Sequence, residues 1–252
     1  MKSLPDLSLV EKILFSGFIF LVGLGLLCAE AYTYISIAGL NGKPGVQMQD
    51  LVIHYYGNRS ASKLQTMLPS MMVMAHVPVD ERGKMESVVN RWVKGGESKS
   101  YYQQQVRPLI NGNCLKCHAI GMPNIGTFTL LKSQAHVDMG MPYSAMLMNG
   151  MIHLSTLGVI YFLAGWIFVR TRTPVWLKIL VVGLPFLAFF LDFAGWFLTK
   201  QNPDFVWLVL VGGILSCPVA LLGMALSLLQ MWFLKPMEKD NHAAPGELVQ
   251  NG

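Results

Sequence analysis

Four uninterrupted apolar runs govern what this chain can fold into. They extend approximately over residues 13–38, 151–169, 176–198 and 205–234. Each is long enough to cross a hydrocarbon core of about 30 Å at about 1.5 Å of rise per residue. No water reaches the backbone in such a core, so every N–H and C=O must be paired within the segment, and an α-helix does that. The chain is 53% hydrophobic and only 13% charged, which excludes an ordinary soluble domain. A four-span helical bundle is the expected frame.

Three basic clusters flank those runs. Lys2 and Lys12 precede the first, diluted by Asp6 and Glu11; Arg170, Arg172 and Lys178 surround the short turn between the second and third; Lys235 and Lys239 follow the fourth. With four spans all three clusters fall on one side, and basic loops stay cytoplasmic. The expectation is a bacterial inner-membrane protein with both termini inside. Segment 39–150 and the turn at 200–204 then lie outside. The net charge of +5 calls for no nucleic acid. Ala29-Glu30-Ala31 has the form of a signal-peptidase site, but apolar sequence continues through Ile35 and Ile37, so the first span reads as an uncleaved anchor. Cys28 follows Leu26-Leu27, a poor context for lipid attachment, and reads as a buried span residue. The chain thus divides into 1–38 (cytoplasmic N-terminus and first span), 39–150 (outer segment), 151–236 (spans two to four) and 237–252 (a short, disordered cytoplasmic tail).

Chemistry enters at Cys114-Leu115-Lys116-Cys117-His118. C-x-x-C-H is the attachment sequence for c-type haem, in which two thiols bond the vinyl groups and the adjacent His supplies an axial nitrogen. Tetrahedral zinc would need two more ligands at matching spacing. The remaining cysteines, Cys28 and Cys217, lie in apolar runs as small hydrophobes. A thioredoxin-type dithiol would need a surrounding βαβ pattern, which is missing. Just ahead, Val106, Leu109 and Ile110 recur at helical spacing.

The outer segment reads as short helices and Gly/Pro loops. Residues 41–45 form a turn; 46–56 form an amphipathic helix with Val46, Leu51, Val52 and Tyr55 on one face, ended by Gly57. In 78–96, Asp80 is the expected cap, Met85, Val88, Val89, Trp92 and Val93 make the apolar face, and Gly95-Gly96 stops the helix. The stretch Met72-Val73-Met74-Ala75-His76-Val77-Pro78, then Glu81 and Arg91-Trp92-Val93-Lys94-Gly95, resembles the closing half of c-type cytochrome domains. There a distal Met precedes a Pro and Glu turn and a helix ending in Trp-φ-x-x-Gly. Here that half precedes the haem motif, as in a circularly permuted domain, whose neighbouring termini make the rearrangement cheap. Over residues 71–118 the chain therefore resembles a membrane-anchored monohaem c-type cytochrome.

The resemblance implies one covalent haem c on Cys114 and Cys117, His118 as proximal ligand, and one-electron transfer. Met74 is the expected sixth ligand, with Met72 next; Met141, His136 and His153 are the alternatives. Glu30 and Asp192 lie within spans one and three, and His153 opens span two. Intramembrane carboxylates are costly and commonly functional, so these three form a candidate proton or quinol site. Only one histidine lies in a span, so no b-type haem is expected within this subunit. Trp166, Trp196, Trp207 and Trp232 read as an interfacial belt. The fold class is mainly α: a four-span transmembrane bundle with a small α-helical c-type cytochrome domain inserted between spans one and two. Its expected role is electron transfer between a larger membrane respiratory complex and a soluble periplasmic carrier. The alternatives are a haem c subunit of a quinol-oxidising or other membrane oxidoreductase using Glu30 and Asp192, and a haem-based sensor or structural subunit.

Overall fold

Helix α1 (Leu9–Ile37) begins where Ser8 and Glu11 form a reciprocal cap: the Ser8 side chain accepts from the Glu11 N–H while the Glu11 carboxylate accepts from the Ser8 N–H. This first helix opens a computed structural model that describes residues 2–121 and 123–236; the expected tail, 237–252, lies outside the described residues. Seven short helices and one more (α2 Met48–Tyr55, α3 Lys63–Met67, α4 Met71–His76, α5 Val79–Lys94, α6 Lys99–Tyr101, α7 Arg107–Asn113, α8 Leu115–His118, α9 Phe128–Ser133) build the outer segment. Three long ones follow: α10 (Tyr143–Phe168), α11 (Val175–Gln201) and α12 (Val206–Phe233). Among the described residues the only extended pairing is a single bridge between Ser62 and Val137.

Helices α1, α10, α11 and the stretch Pro203–Phe233 that contains α12 are each long and apolar enough to span a membrane. Pro142 and Pro174 stand at the N-caps of α10 and α11, where a residue without an N–H costs nothing. Helix α10 starts at Tyr143 rather than at 151, the start of the apolar run. Its first turns have a packing partner of their own, since Met146 is buried and the Gly150 backbone lies against Phe193. Helices α11 and α12 approach most closely: a β-carbon on Gly212 would stand 2.6 Å from the Ala188 carbonyl oxygen.

One end of the bundle gathers the three basic clusters that flank the spans. The Leu4 N–H donates to the Arg170 carbonyl (3.1 Å), and the Arg172 guanidinium pairs with Asp6 (3.2 Å) and donates to the Lys235 carbonyl (2.9 Å). The N-terminal stretch, the α10–α11 turn and the end of α12 therefore meet at that end. The outer segment sits on the other, where Ile37, Leu40, Leu51, Ile53 and Tyr55 pack with Met146, Trp196, Val206 and Val209.

Within the outer segment two small cores adjoin. Trp92, Tyr102, Val106, Ile110 and Leu131 make one, and Val77, Met85 and Val89 the other. Helix α5 carries residues to both, because the expected apolar face at i, i+3, i+4 and i+7 is the buried one. Its cap differs from expectation. Pro78 takes the N-cap position, and Asp80 and Glu81 occupy the first turn, where their charge opposes the positive end of the helix dipole. Gly95 and Gly96 end the helix as expected, Gly96 in the left-handed conformation (φ 80°).

Candidate functional site

The C-x-x-C-H stretch sits at a junction between helices. The lead-in is helical, but residues Tyr102–Val106 form a π-turn in which the Arg107 N–H reaches the Tyr102 carbonyl. Pro108 explains it: with no N–H to give and a ring that crowds the preceding turn, it forces the chain to widen there. Val106 and Ile110 are buried as their spacing predicts. Helix α7 ends at Asn113, whose side chain donates to the Glu81 carboxylate (2.8 Å) and so ties the motif to α5. Cys114 bridges α7 and α8, donating its N–H to the Ile110 carbonyl (2.8 Å) and accepting from the His118 N–H (3.0 Å).

The three motif side chains have different surroundings. Cys114 is half-buried where both outer cores meet, among Val73, Leu64, Val93, Leu109 and Leu115. Burial pushes its thiol above the usual range. Cys117 is exposed, and both thiols are free. His118 is half-buried, and its Nδ1 lies 2.9 Å from the Pro123 carbonyl oxygen. A carbonyl can only accept, so Nδ1 carries the proton and Nε2 keeps its lone pair for another partner. Fixing the tautomer and ring in this way is what metal-bound imidazoles require.

The backbone after His118 turns back tightly. The Ile125 N–H donates to the His118 carbonyl (3.1 Å), and a β-carbon on Gly121 would stand 2.4 Å from the Cys117 carbonyl oxygen. Only glycine permits that approach. Ile120, two residues past His118, is 95% exposed. These features fit a covalently held porphyrin: two reachable thiols, an oriented imidazole, a narrow backbone return and apolar surface awaiting cover. They fit zinc less well, since among the described residues no three of His, Cys, Asp and Glu converge as a metal site.

The expected sixth ligands fall in two places. Val73 of α4 and Val77, which follows the helix, pack in the same cluster as Cys114. Met72 and Met74 flank Val73 on that helix. The Met74 methyl lies against Gly39, 3.3 Å from where a β-carbon would stand, and its carbonyl accepts from Arg82 (2.5 Å). Met141 belongs instead to the cluster of Tyr55 and Trp196, and its N–H donates to the His54 carbonyl (2.8 Å). His136 is exposed, with its carbonyl accepting from the Lys63 N–H (3.0 Å). His153 lies edge-on to Trp196 at 5.9 Å between centroids, its Nδ1 2.7 Å from the Asn149 carbonyl oxygen.

Of the intramembrane candidates, Asp192 accepts from the Trp196 indole N–H (3.1 Å), and Trp196 lies beside His153. Trp196 is therefore buried and hydrogen-bonded, not part of an interfacial belt, whereas Trp166, Trp207 and Trp232 are exposed as a belt requires. Tyr161 escaped sequence reasoning as a buried polar group, because it looks like an apolar span residue until the helices are packed. Cys28 is exposed on α1, not buried.

Residues 131–239 match a protein family described as a transmembrane helical domain, Aq_1264_TM. The match begins within α9 and takes in all of α10, α11 and α12, but ends short of the C-x-x-C-H stretch on the N-terminal side. No curated protein and no solved structure matches the chain. The chain is a membrane protein with four spanning helices.

Proposed function

We propose that this protein is a membrane-anchored monohaem c-type cytochrome, its haem domain formed by the segment between α1 and α10. The observation that carries the reading is the His118 ring, held by the Pro123 carbonyl within a C-x-x-C-H sequence so that Nε2 is presented as a ligand. Cys114 and Cys117 would each add S–H across one vinyl group, forming two thioethers with no oxidant consumed. Bound there, haem supplies one-electron exchange between Fe(II) and Fe(III). The chain's part is to orient His118, to keep the Cys114 side dry among apolar side chains, and to leave the Cys117 edge open to a partner. That open edge suits a soluble periplasmic electron carrier, with a larger membrane respiratory complex as the other partner. The compartment follows from the charge asymmetry, which puts the basic end in the bacterial cytoplasm. Met72 and Met74 flank Val73, which packs on the same small core as Cys114, whereas Met141 and His153 lie with Trp196; this supports Met74 or Met72 as the sixth ligand.

Haem staining after denaturing electrophoresis tests the reading. A stained band at the mass of the chain is expected, weakened in Cys117→Ala and lost in the Cys114→Ala/Cys117→Ala double variant. A redox titration should follow a one-electron curve. Absence of covalent haem from protein matured with a functional haem-attachment system overturns the assignment, and carbon monoxide binding to the reduced form would favour a sensor. Loss of the weak long-wavelength Met–iron band in Met74→Leu but not in Met141→Leu identifies the sixth ligand; the reverse pattern rejects Met74.

A further inference from the structure

A cleft of about 620 Å³ opens where the outer segment meets the bundle. One side is α2 and the loop that follows it, with Ile53, Tyr56 and Arg59; the other is the turn between α11 and α12, with Pro203, Asp204 and Val206. Ile53 and Val206 are buried in the cluster that seats the outer segment on the bundle, so they lie at the base of the cleft. Arg59 and Asp204 are exposed and stand at its mouth. The turn joins two spanning helices and therefore lies at a membrane surface. Trp207, the second residue of α12, is exposed, as an indole at headgroup depth is.

The two charges at the mouth do not pair with each other. Arg59 is held by its own side of the cleft: Nε donates to the Tyr56 carbonyl (3.2 Å), Nη1 donates to the Met139 Sδ (3.1 Å), and the guanidinium carbon lies 4.3 Å from the centroid of the Tyr56 ring. Its Nη2 makes no hydrogen bond among the described residues. Asp204 donates its backbone N–H to the Asn202 side chain (3.0 Å), while its carboxylate has no hydrogen-bond or ion-pair partner among the described residues. One cation fixed in place and one uncommitted carboxylate thus line a single opening.

Size, charge and depth restrict what can enter. Small-molecule sites are typically about 300–1,000 Å³, so the cleft has room for a headgroup and none for a protein domain. A purely anionic ligand would meet the Asp204 carboxylate, and a purely cationic one the Arg59 guanidinium; a group carrying both charges satisfies both. A guanidinium binds phosphate through charge-assisted hydrogen bonds, and a primary ammonium brings three N–H donors to a carboxylate. A quaternary ammonium brings none. At this depth the ligand can also carry acyl chains, because Trp207, Val211 and Ile214 are exposed at i, i+4 and i+7 and make an apolar stripe down α12 from the turn.

We propose that this cleft binds the headgroup of a phospholipid carrying a primary ammonium, a phosphatidylethanolamine, with its phosphate on Arg59 and its ammonium donating to Asp204. The lining shares no residue with the two cores around Cys114, so the Cys114→Ala/Cys117→Ala variant should bind as the parent does, which separates this site from the haem reading. The test is native mass spectrometry of the full chain in detergent, titrated with phosphatidylethanolamine, phosphatidylcholine or phosphatidylglycerol of the same acyl chains. The parent should hold phosphatidylethanolamine about fivefold more tightly than either of the others. In Asp204→Asn phosphatidylethanolamine should fall to the level of phosphatidylcholine, and in Arg59→Gln both should weaken about fivefold. Both side chains are exposed, so the thermal midpoints of these variants should stay within about 1 °C of the parent's. Asp204→Asn decides the matter if Arg59→Gln does not fold. Phosphoethanolamine, the same headgroup without tails, should not displace the lipid at equal concentration. Equal retention of the three lipids by the parent, a preference for phosphatidylethanolamine kept in Asp204→Asn, unchanged binding in Arg59→Gln, or displacement by phosphoethanolamine overturns the proposal.

Discussion

Asp50 is fully buried at the start of α2, where its two carboxylate oxygens accept from the backbone N–H groups of Asn41 and Gln47, both at 2.7 Å. The carboxylate thus closes the 41–45 turn onto α2 and sets how the outer segment leaves α1. Asp50→Ala would strand two N–H groups, each costing about 1–3 kcal/mol when buried. We expect a loss of about 3 kcal/mol, read as a lower thermal midpoint in detergent, with Asp50→Asn losing less because its amide oxygen still accepts one bond. His54, one turn along, carries the pH dependence. Burial, with help from the Lys63 charge and against that of Asp138, pushes its pKa down to about 4 from the ordinary value near 6.5. The folded protein therefore holds a neutral ring that the unfolded chain would protonate. This contribution to stability is fully present above about pH 6.5 and is lost as pH falls towards 4. Melts between pH 7 and pH 4 should show a steeper loss for the parent than for His54→Gln; parallel curves would remove His54 as the cause. At this scale the sequence was a partial guide. The identity of the motif residues can be read directly, but the Pro123 carbonyl on His118 and the indole on Asp192 depend on chain geometry that spacing does not encode.

At the scale of elements the apolar runs were the clearest signal, since a span must satisfy its own backbone and leaves few alternatives to a helix. Boundaries were less legible where a helix outruns its apolar part, as α10 does at Tyr143, because packing on Phe193 substitutes for hydropathy. The π-turn before the motif was marked by Pro108 alone, a residue equally compatible with a kink. The pairing of α11 with α12 rests on small residues, and two adjacent glycines separate contact from composition. A β-carbon on Gly212 would stand 2.6 Å from Ala188 O and 2.7 Å from the Asp192 β-carbon, whereas one on Gly213 meets nothing within 4 Å. Gly212→Leu should therefore force the helices apart at a cost of about 1–3 kcal/mol or more, the range for overpacked sites. Gly213→Leu should leave the melting temperature within about 1 °C of the parent's, as surface changes do. Equal effects of the two substitutions would show that helix propensity, not contact with α11, dominates.

At the scale of the whole molecule, the bundle has one basic end and one end bearing a folded insert. The ties at the basic end are Leu4 to Arg170 and Arg172 to both Asp6 and Lys235. They join the N-terminal stretch, the middle turn and the end of α12, so the number of crossings between them must be even. The three clusters legible in the sequence thus meet as one surface, which charge counting alone could suggest but not assemble. What the sequence could not show is the exposure of residues 27–35 on α1, because most of them are as apolar as buried ones; only packing distinguishes them. Orientation follows from the physics of insertion, in which Lys and Arg beside short loops resist translocation. Alkaline phosphatase, active only outside the cytoplasm, should therefore be active when inserted at Gly96, in the exposed turn after α5, and inactive when fused after Lys235. The reciprocal pattern is expected for a reporter that fluoresces only inside. Replacing Arg170, Arg172 and Lys178 with Gln should weaken the preference and give a mixed population, because those three are the largest cluster not diluted by acids. If phosphatase is active after Lys235 and silent at Gly96, the C-x-x-C-H stretch faces the cytoplasm, where haem is not attached to thiols by this route. The electron-transfer reading would then fail together with the topology.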